Sequence, residues 1–342
     1  MKIMTKMTFI DTIQPAPRNG GFRMDDYWIW CGSVIKGDDG RYHMFASRWP
    51  KKLPFLRGYV VASEIVRAVA DTPEGPYKFS EVVLPDRGES LGDGRMTHNP
   101  AIRRWGDRYA LFYIGATYSG ARPTTEDLIN SDTASHLEIY STIRIGLAVS
   151  SSLNGPWERT DKPILQPRSG KWDSTIVTNP APCILGDGSA LLYYRSNTPL
   201  GLRIGVAKAD AFGKPFYRYY DEPVLTFGKG QFVEDPYVWQ TNGRFELIAK
   251  DCRGGITGEC HAGVRALSED GVQWRLANPP KAYSRDVRWD DGQVTVQGSL
   301  ERPQLLIDGD APTHLFAATA DGAGGFDVAK NTWNMVLPLS AQ

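Results

Sequence analysis

Short runs in which apolar and polar residues alternate follow one another along most of the chain, rich in Val, Ile, Tyr, Phe and Trp and parted by Gly/Asp turns. A period of two predicts half-buried β-strands, and few segments carry the spacing of an amphipathic helix. Two units recur in alternation. The first is an opening strand, a turn with Gly or Asp, and an aromatic strand: CGSVIKGDDGRYHMFAS at 31–47, HNPAIRRWGDRYALFYIGA at 98–116, TNPAPCILGDGSALLYYRS at 178–196, EDPYVWQTNGRFELIAKD at 234–251 and ERPQLLIDGDAPTHLFAAT at 301–319. The second is a strand ending in Ala, Ser or Asp, then a turn and an aromatic: VRAVADTPEGPYKF, IGLAVSSSLNGPWER, IGVAKADAFGKPFYR and GVRALSEDGVQWR. Turns such as NGPW and DGVQW suit tight hairpins.

Five copies of the first unit predict an all-β chain folded as a five-bladed β-propeller, one domain over residues 1–342 with blades opening near 31, 98, 178, 234 and 301. The second unit supplies the outer two strands of the first four blades. The fifth blade lacks it, so the C-terminal NTWNMVLPL and the N-terminal TFIDTI are expected to complete that blade and seal the ring, which removes sheet edges. Openings recur every 55 to 80 residues or so, longer than a WD40 or kelch repeat, and the WD and GG signatures are missing. That argues against a protein-interaction propeller. The longest insertion, GATYSGARPTTEDLINSDTASHLEIYST at 115–142, is polar and is expected to form a loop or short helix at a pocket rim.

Lys+Arg and Asp+Glu balance at 39 each with no long run of one sign, which leaves neither nucleic acid nor a membrane as a partner. Ten Trp and fifteen Tyr suit sugar faces as well as a large β core. The start, MKIMTKMTFIDTI, has no apolar run of signal-peptide length, so a cytoplasmic protein is expected, or a periplasmic or secreted one if a leader has been removed. Cys31, Cys183, Cys252 and Cys260 show no CxxC spacing, which argues against zinc and leaves a Cys252–Cys260 disulfide open. No nucleotide, zinc-protease or serine-hydrolase motif occurs, so no cofactor is implied, while a structural or pocket divalent cation stays open. Oligomeric state leaves no trace in the pattern.

In a propeller, equivalent repeat positions converge at the axis. The residue before the Asn-, Asp- or Arg-Pro pair is His98, Thr178, Glu234 and Glu301, with Cys31 expected opposite them in blade one. Asp26, Asp93 and Asp173 share one register six residues ahead of the central motif position. Glycosidic hydrolysis needs one protonated carboxyl group and one ionised carboxylate, and crowded carboxylates raise one another's pKa. Aspartates before strands also cap turns. Asp25 adjoins Asp26 and Asp235 adjoins Glu234, either neighbour being able to take the role; on an extended strand only one of each pair should face the pocket. His98 is placed to donate to a sugar hydroxyl, whereas His43 and His314 are expected as satisfied buried histidines. Glu301 with Arg302 forms either an internal ion pair or a grip on hydroxyls or a uronic carboxylate. Arg195 and Lys250–Asp251 end second strands as pocket floor or blade packing, and Trp28, Trp30, Trp49 and Trp105 are sugar platforms or core, Trp28 being carried as a platform.

The opening units, VEDPYVWQTNGRFELIAKD above all, resemble those of the propeller glycosidases of glycoside hydrolase families 43, 32, 62 and 117, at motif level over nearly the whole chain. Family 43 uses a blade-one Asp as general base, a later Asp that orients and tunes the acid, and a Glu opening a following blade as the acid. The resemblance implies Asp26, Asp173 and Glu234 in those roles. Family 43 usually sets its aspartates directly before Pro, whereas CGS at 31–33 and TNP at 178–180 stand there in this chain. Family 117 uses a histidine as acid, and His261 in TGECHAGVRALSEDG is its counterpart; the WMNDPNG-like motif of family 32 is missing. The implied function is an O-glycosyl hydrolase, exo-acting and inverting, that removes a terminal furanosyl or galactose-type sugar from plant or algal oligosaccharides. The alternatives are a catalytically silent carbohydrate-binding propeller and a retaining family-32-like sucrase or transferase.

Overall fold

A computed structural model of the protein describes residues 7–130, 133–199, 201–228 and 230–341. The period-two runs form antiparallel sheets in which each strand pairs with its sequence neighbour. Blade one holds β1 (Tyr27–Lys36), β2 (Tyr42–Pro50), β3 (Glu64–Ala70) and β4 (Lys78–Leu84). Blade two holds β5 (Met96–Trp105), β6 (Arg108–Ala116), β7 (Arg144–Ser150) and β8 (Glu158–Arg159). Blade three holds β9 (Thr178–Ile184), β10 (Ala190–Thr198), β11 (Gly201–Ala209) and β12 (Tyr217–Arg218), and blade four β13 (Val233–Thr241), β14 (Arg244–Asp251), β15 (Gly263–Ser268) and β16 (Arg275–Tyr283). A ribbon of β17 (Asp286–Arg288) and β18 (Val294–Val296) leads into the three-stranded blade five, β19 (Ser299–Asp308), β20 (Ala311–Ala320) and β21 (Thr332–Pro338). The molecule is a five-bladed β-propeller. Each of the five motif copies supplies the first two strands of its blade.

Apolar side chains alternate off both faces of each sheet, so the cores lie between blades. Phe112, Leu192 and Tyr194 pack blade two on blade three, and Val206, Leu247 and Val264 pack three on four. Tyr237, Leu315 and Leu337 pack four on five, Ile29, Met44 and Phe316 close five on one, and Ile65, Leu111 and Ala148 pack one on two. The C-terminal run is the third strand of blade five, as expected. TFIDTI is no strand: it carries a 3₁₀ turn at Ile10–Thr12, packs Phe9 and Ile13 against Met335 and Leu337 of the closing strand, and is bridged at Ile13↔Leu339, with a further bridge at Phe22↔Asn334. Asn334 on β21 also accepts the Gly32 N–H at 2.8 Å, which ties the last blade to the first.

The aspartates in shared register are structural. Asp93 accepts Arg87 Nε at 2.8 Å and the Tyr113 hydroxyl at 2.7 Å, with Arg159 Nη1 3.6 Å away. Asp173 repeats the clasp one blade on, accepting Arg168 Nε at 3.0 Å, the Tyr194 hydroxyl at 2.8 Å and Arg218 Nε at 2.9 Å. Gly146 and Gly205 make room for the tyrosine rings; a Cβ there would lie 2.5 Å and 2.6 Å from them. Blade one has no such clasp at Asp26. That carboxylate is exposed, and its backbone carbonyl accepts the Lys51 N–H at 3.0 Å.

Asp173 has no solvent exposure, so removing its charge leaves the buried Arg218 guanidinium without a carboxylate and Arg168 with Asp221 alone. Asp173→Ala is expected to lower the free energy of unfolding by ~3–5 kcal/mol in urea titration. An effect below about 1 kcal/mol would show that the clasp is not a structural bond.

Candidate active site

Each opening strand breaks register at its motif, between Trp30 and Ser33, His98 and Ala101, Thr178 and Ala181, Glu234 and Tyr237, and Glu301 and Gln304. At each bulge one residue that is not glycine adopts the left-handed conformation: Cys31, Asn99, Asn179, Asp235 and Arg302, with φ between 53° and 57°. Their side chains join around the axis. The Cys31 thiol donates to Asn99 Oδ1 at 2.8 Å, Asn99 Nδ2 to Asn179 Oδ1 at 2.9 Å, Asn179 Nδ2 to Asp235 Oδ1 at 2.7 Å, and Arg302 Nη1 to the same Asp235 oxygen at 2.8 Å. Arg302 stands near the thiol, where its charge opposes the upward push that burial gives the Cys31 pKa. The residues one position earlier are Trp30, His98, Thr178, Glu234 and Glu301, and all five line a cavity of about 270 Å³ over the ring.

This register corrects two expectations. The blade-one partner of His98, Thr178, Glu234 and Glu301 is Trp30, while Cys31 aligns with the residues before proline. The bulge also cancels the strict alternation of an extended strand, so Glu234 and Asp235 both reach the cavity.

Charge gathers on the side of blades three to five. On the second strands Arg195 stands opposite Thr178 and Lys250 opposite Glu234. Arg195 Nη1 donates to Glu234 Oε1, and its Nη2 donates to the Tyr140 hydroxyl at 2.6 Å. Lys250 Nζ lies 2.8 Å from Glu234 Oε2 and 3.0 Å from Glu301 Oε1. Burial alone would raise the Glu234 carboxyl, but Lys250 and Arg195 outweigh it and hold the group well below its usual range. Glu301 is pushed up to about 7: burial dominates, Lys250 opposes it, and Asp235 and Glu234 add to it. His98 is driven down to about 3, by burial first and then by Arg302, so its imidazole is neutral; Nδ1 meets the Ser63 hydroxyl at 2.8 Å. Burial, then Lys250 and Arg285, likewise lower His261.

The other side is aromatic. Helix α1 (Phe55–Ala62), between β2 and β3, brings Phe55 and Tyr59, and Phe326 stacks on Phe55 with centroids 5.0 Å apart. Tyr59 stacks on His98 at 4.7 Å, and Trp30 and Trp49 complete the wall. The 115–142 insertion contains α2 (Thr125–Asn130) and α3 (Thr133–Ser141), and Tyr140 of α3 lines the rim.

Of the residues singled out from sequence, His98, Arg195, Glu234, Asp235, His261, Glu301 and Arg302 line this cavity. Asp25, Asp26, Asp93, Asp173 and Trp28 do not. Asp25 and Asp26 are exposed, Asp93 and Asp173 are held in their clasps, and the Trp28 indole donates to the Leu53 carbonyl at 2.9 Å behind the aromatic wall. The assembly of Asp26, Asp173 and Glu234 is therefore not formed. Sequence reading undervalued Lys250, Trp30 and Trp49, and missed Tyr59, Tyr140, Asn99 and Asn179. The strand register would have found the asparagines, which stand directly before proline. All four cysteines are free thiols, so the 252–260 disulfide is not made. Among the described residues no group of three or more His, Cys, Asp or Glu is placed to hold a metal ion, and no helix is long and apolar enough to cross a membrane.

No protein-family model and no curated protein matches the sequence. The fold is similar to that of solved structures over nearly the whole chain. A family 117 glycoside hydrolase produced by the marine bacterium Zobellia galactanivorans is 16% identical with a TM-score of 0.64, over 95% of this chain and 89% of that one. An α-L-arabinofuranosidase from Lactobacillus brevis is 14% identical with a TM-score of 0.62, over 96% and 94%. A thermostable family 43 glycoside hydrolase is 14% identical with a TM-score of 0.61, over 96% of each.

Glu301 keeps its proton in the native state up to about pH 7 but loses it near 4.5 in the unfolded chain. Where the native state holds the extra proton, stability falls as pH rises, so between about 4.5 and about 7 the protein is expected to lose up to ~3 kcal/mol. Glu301→Gln should flatten that part of a urea-unfolding profile. Glu234, with its lowered pKa, acts in the opposite sense and only in the more acid range. Parallel profiles for wild type and variant would mean that Glu301 ionises normally.

Proposed function

We propose that the protein is a glycoside hydrolase acting on the terminal sugar of an oligosaccharide. The observation that carries this reading is the pair of carboxylates whose surroundings push them apart: Glu301 is raised to about 7 and Glu234 is held ionised, both at the floor of one small cavity. Such a pair supplies the acid and the anion that glycosidic cleavage requires. Glu301 protonates the leaving oxygen. Glu234, aimed by Arg195, Lys250 and Asn179, faces the anomeric carbon as its positive charge develops. The aromatic wall takes the apolar face of a sugar ring while Arg195, His98 and Asn99 meet hydroxyls. A cavity of about 270 Å³ lies at the small end of ligand pockets (~300–1,000 Å³), which favours one bound residue and an exo mode. The ring shape, furanosyl or galactose-type, is set by the aromatic wall and Tyr140.

Stereochemistry follows from spacing. An inverting enzyme needs a base far enough away to leave room for water, and the expected base, Asp26, lies outside the cavity. Glu234 and Glu301 flank one ammonium, which places their nearest oxygens under 6 Å apart. That favours the short spacing of retention, ~5–5.5 Å, over the ~6.5–9.5 Å of inversion. A second reading, a sugar-binding propeller without turnover, draws on Cys31 and Asn179, which stand where the family-43 resemblance implies aspartates.

Turnover of a panel of aryl glycosides and defined oligosaccharides tests both readings. Glu301→Gln and Glu234→Gln are each expected to lower kcat by ~10²–10⁴-fold, and Asp26→Asn to leave it unchanged. The rate should fall as pH rises through about 7, where Glu301 loses its proton. Proton NMR of the first product should show the substrate's own anomer. Sugar binding with no turnover of any substrate, unaltered in the Gln variants, would establish the binding module instead.

A further inference from the structure

A second cavity, of about 410 Å³, opens far from the first, where the turns of blades four and five meet both ends of the described chain. Strand β13 runs from Glu234 in the axial cavity to Thr241 at this one, a span on the order of 20 Å. Its inner part is built around Glu246, which is 4% exposed. Arg244 donates to Glu246 Oε1 through Nε at 3.3 Å and Nη2 at 2.8 Å, and Arg265 donates to Oε2 through Nε at 3.1 Å and through Nη2. Each guanidinium thus spends one edge on the carboxylate. The third nitrogen of each, Nη1, makes no hydrogen bond to the described residues, and two cations share one anion. Trp239 forms a wall; it is 5% exposed and its indole Nε1 is buried without a partner. Asn242 and the exposed Asp310 supply polar groups at the mouth.

We propose that this cavity is a second carbohydrate site that binds a uronate, with the sugar carboxylate on the Arg244/Arg265 pair and the ring against Trp239. A planar carboxylate meets two guanidinium corners as no hydroxyl can, because charge-assisted hydrogen bonds to Arg are about twice as strong as neutral ones. The indole and the mouth residues then distinguish a sugar acid from a simple carboxylate. The axial cavity keeps its own chemistry whether or not this site is occupied.

Isothermal calorimetry on the full chain with D-galacturonate, D-galactose and acetate tests the assignment. Galacturonate should bind, and galactose and acetate should bind about tenfold or more weakly. Arg244→Gln should weaken the galacturonate component by about tenfold or more, as should Ala311→Trp, which fills the mouth from an exposed hairpin and disturbs no buried charge. Both variants should leave turnover of aryl glycosides unchanged. Absent heat with galacturonate, equal affinity for galactose or acetate, or a galacturonate signal that survives both variants overturns the proposal; the last would put the sugar acid in the axial cavity.

Discussion

Everything at the axis depends on five bulges. In each opening strand one residue is forced to positive φ, a conformation that costs a residue with a Cβ roughly 1–2 kcal/mol. Asn99, Asn179 and Asp235 are types that tolerate it, whereas Cys31 and Arg302 are not, and these two are neighbours in the ring. The strain persists because the members are tied in one chain of hydrogen bonds, from Cys31 through Asn99, Asn179 and Asp235 to Arg302. A bulge sends two successive side chains to the same side of the strand. Five bulges therefore give two tiers, one that locks the blades together and one, Trp30 to Glu301, that lines the axial cavity.

That geometry explains what could be read from the sequence. Blade number, the pairing of strands and the closing role of the C-terminal run followed from period-two patterning and repetition, because burial between blades imposes both. The positions of Glu234, Glu301 and His98 followed from the same alignment. Asp26, Asp93 and Asp173 misled for a physical reason: a shared register is equally the mark of a repeated structural bond. The partners that reveal the bond, Arg87, Tyr113 and Arg159 in one blade and Arg168, Tyr194 and Arg218 in the next, recur at matching places but are spread over a loop and two strands of each blade. Blade one was read out of step by one residue because Gly32 replaces its proline. Helix α1 was invisible because its eight residues, FLRGYVVA, are rich in β-formers and glycine and are held by packing.

Charge in the cavity is divided unevenly, and the division has a structural source. Arg302 is committed to Asp235 within the ring, and Arg195 is committed to Glu234 from the neighbouring blade. Lys250 serves both Glu234 and Glu301. Three cations thus face three carboxylates, yet Glu301 receives only a share of one. Its burial is then uncompensated, and neutralisation by a proton is the cheaper state. Two glutamates in equivalent positions of adjacent blades acquire opposite protonation because blade five presents Ala318 where blade four presents Lys250.

The two walls of the cavity have different origins, and that bears on how its specificity can change. The charged wall is made by strand residues whose positions the ring fixes, so a substitution there disturbs the blades as well as the site. The aromatic wall and the rim are made by segments inserted between strands: α1 in blade one, and α2 and α3 in blade two. They meet the strand residues of the cavity through contacts such as Arg195 to Tyr140 and the stacking of Tyr59 on His98. Changes in these insertions can reshape the space above Glu234 and Glu301 while leaving the two carboxylates and their shared lysine in place. Arg195 is the joint between the two systems, since one guanidinium holds both the ionised Glu234 and the hydroxyl of Tyr140. A ligand that displaces Tyr140 would therefore alter the support of the carboxylate on which the proposed chemistry turns.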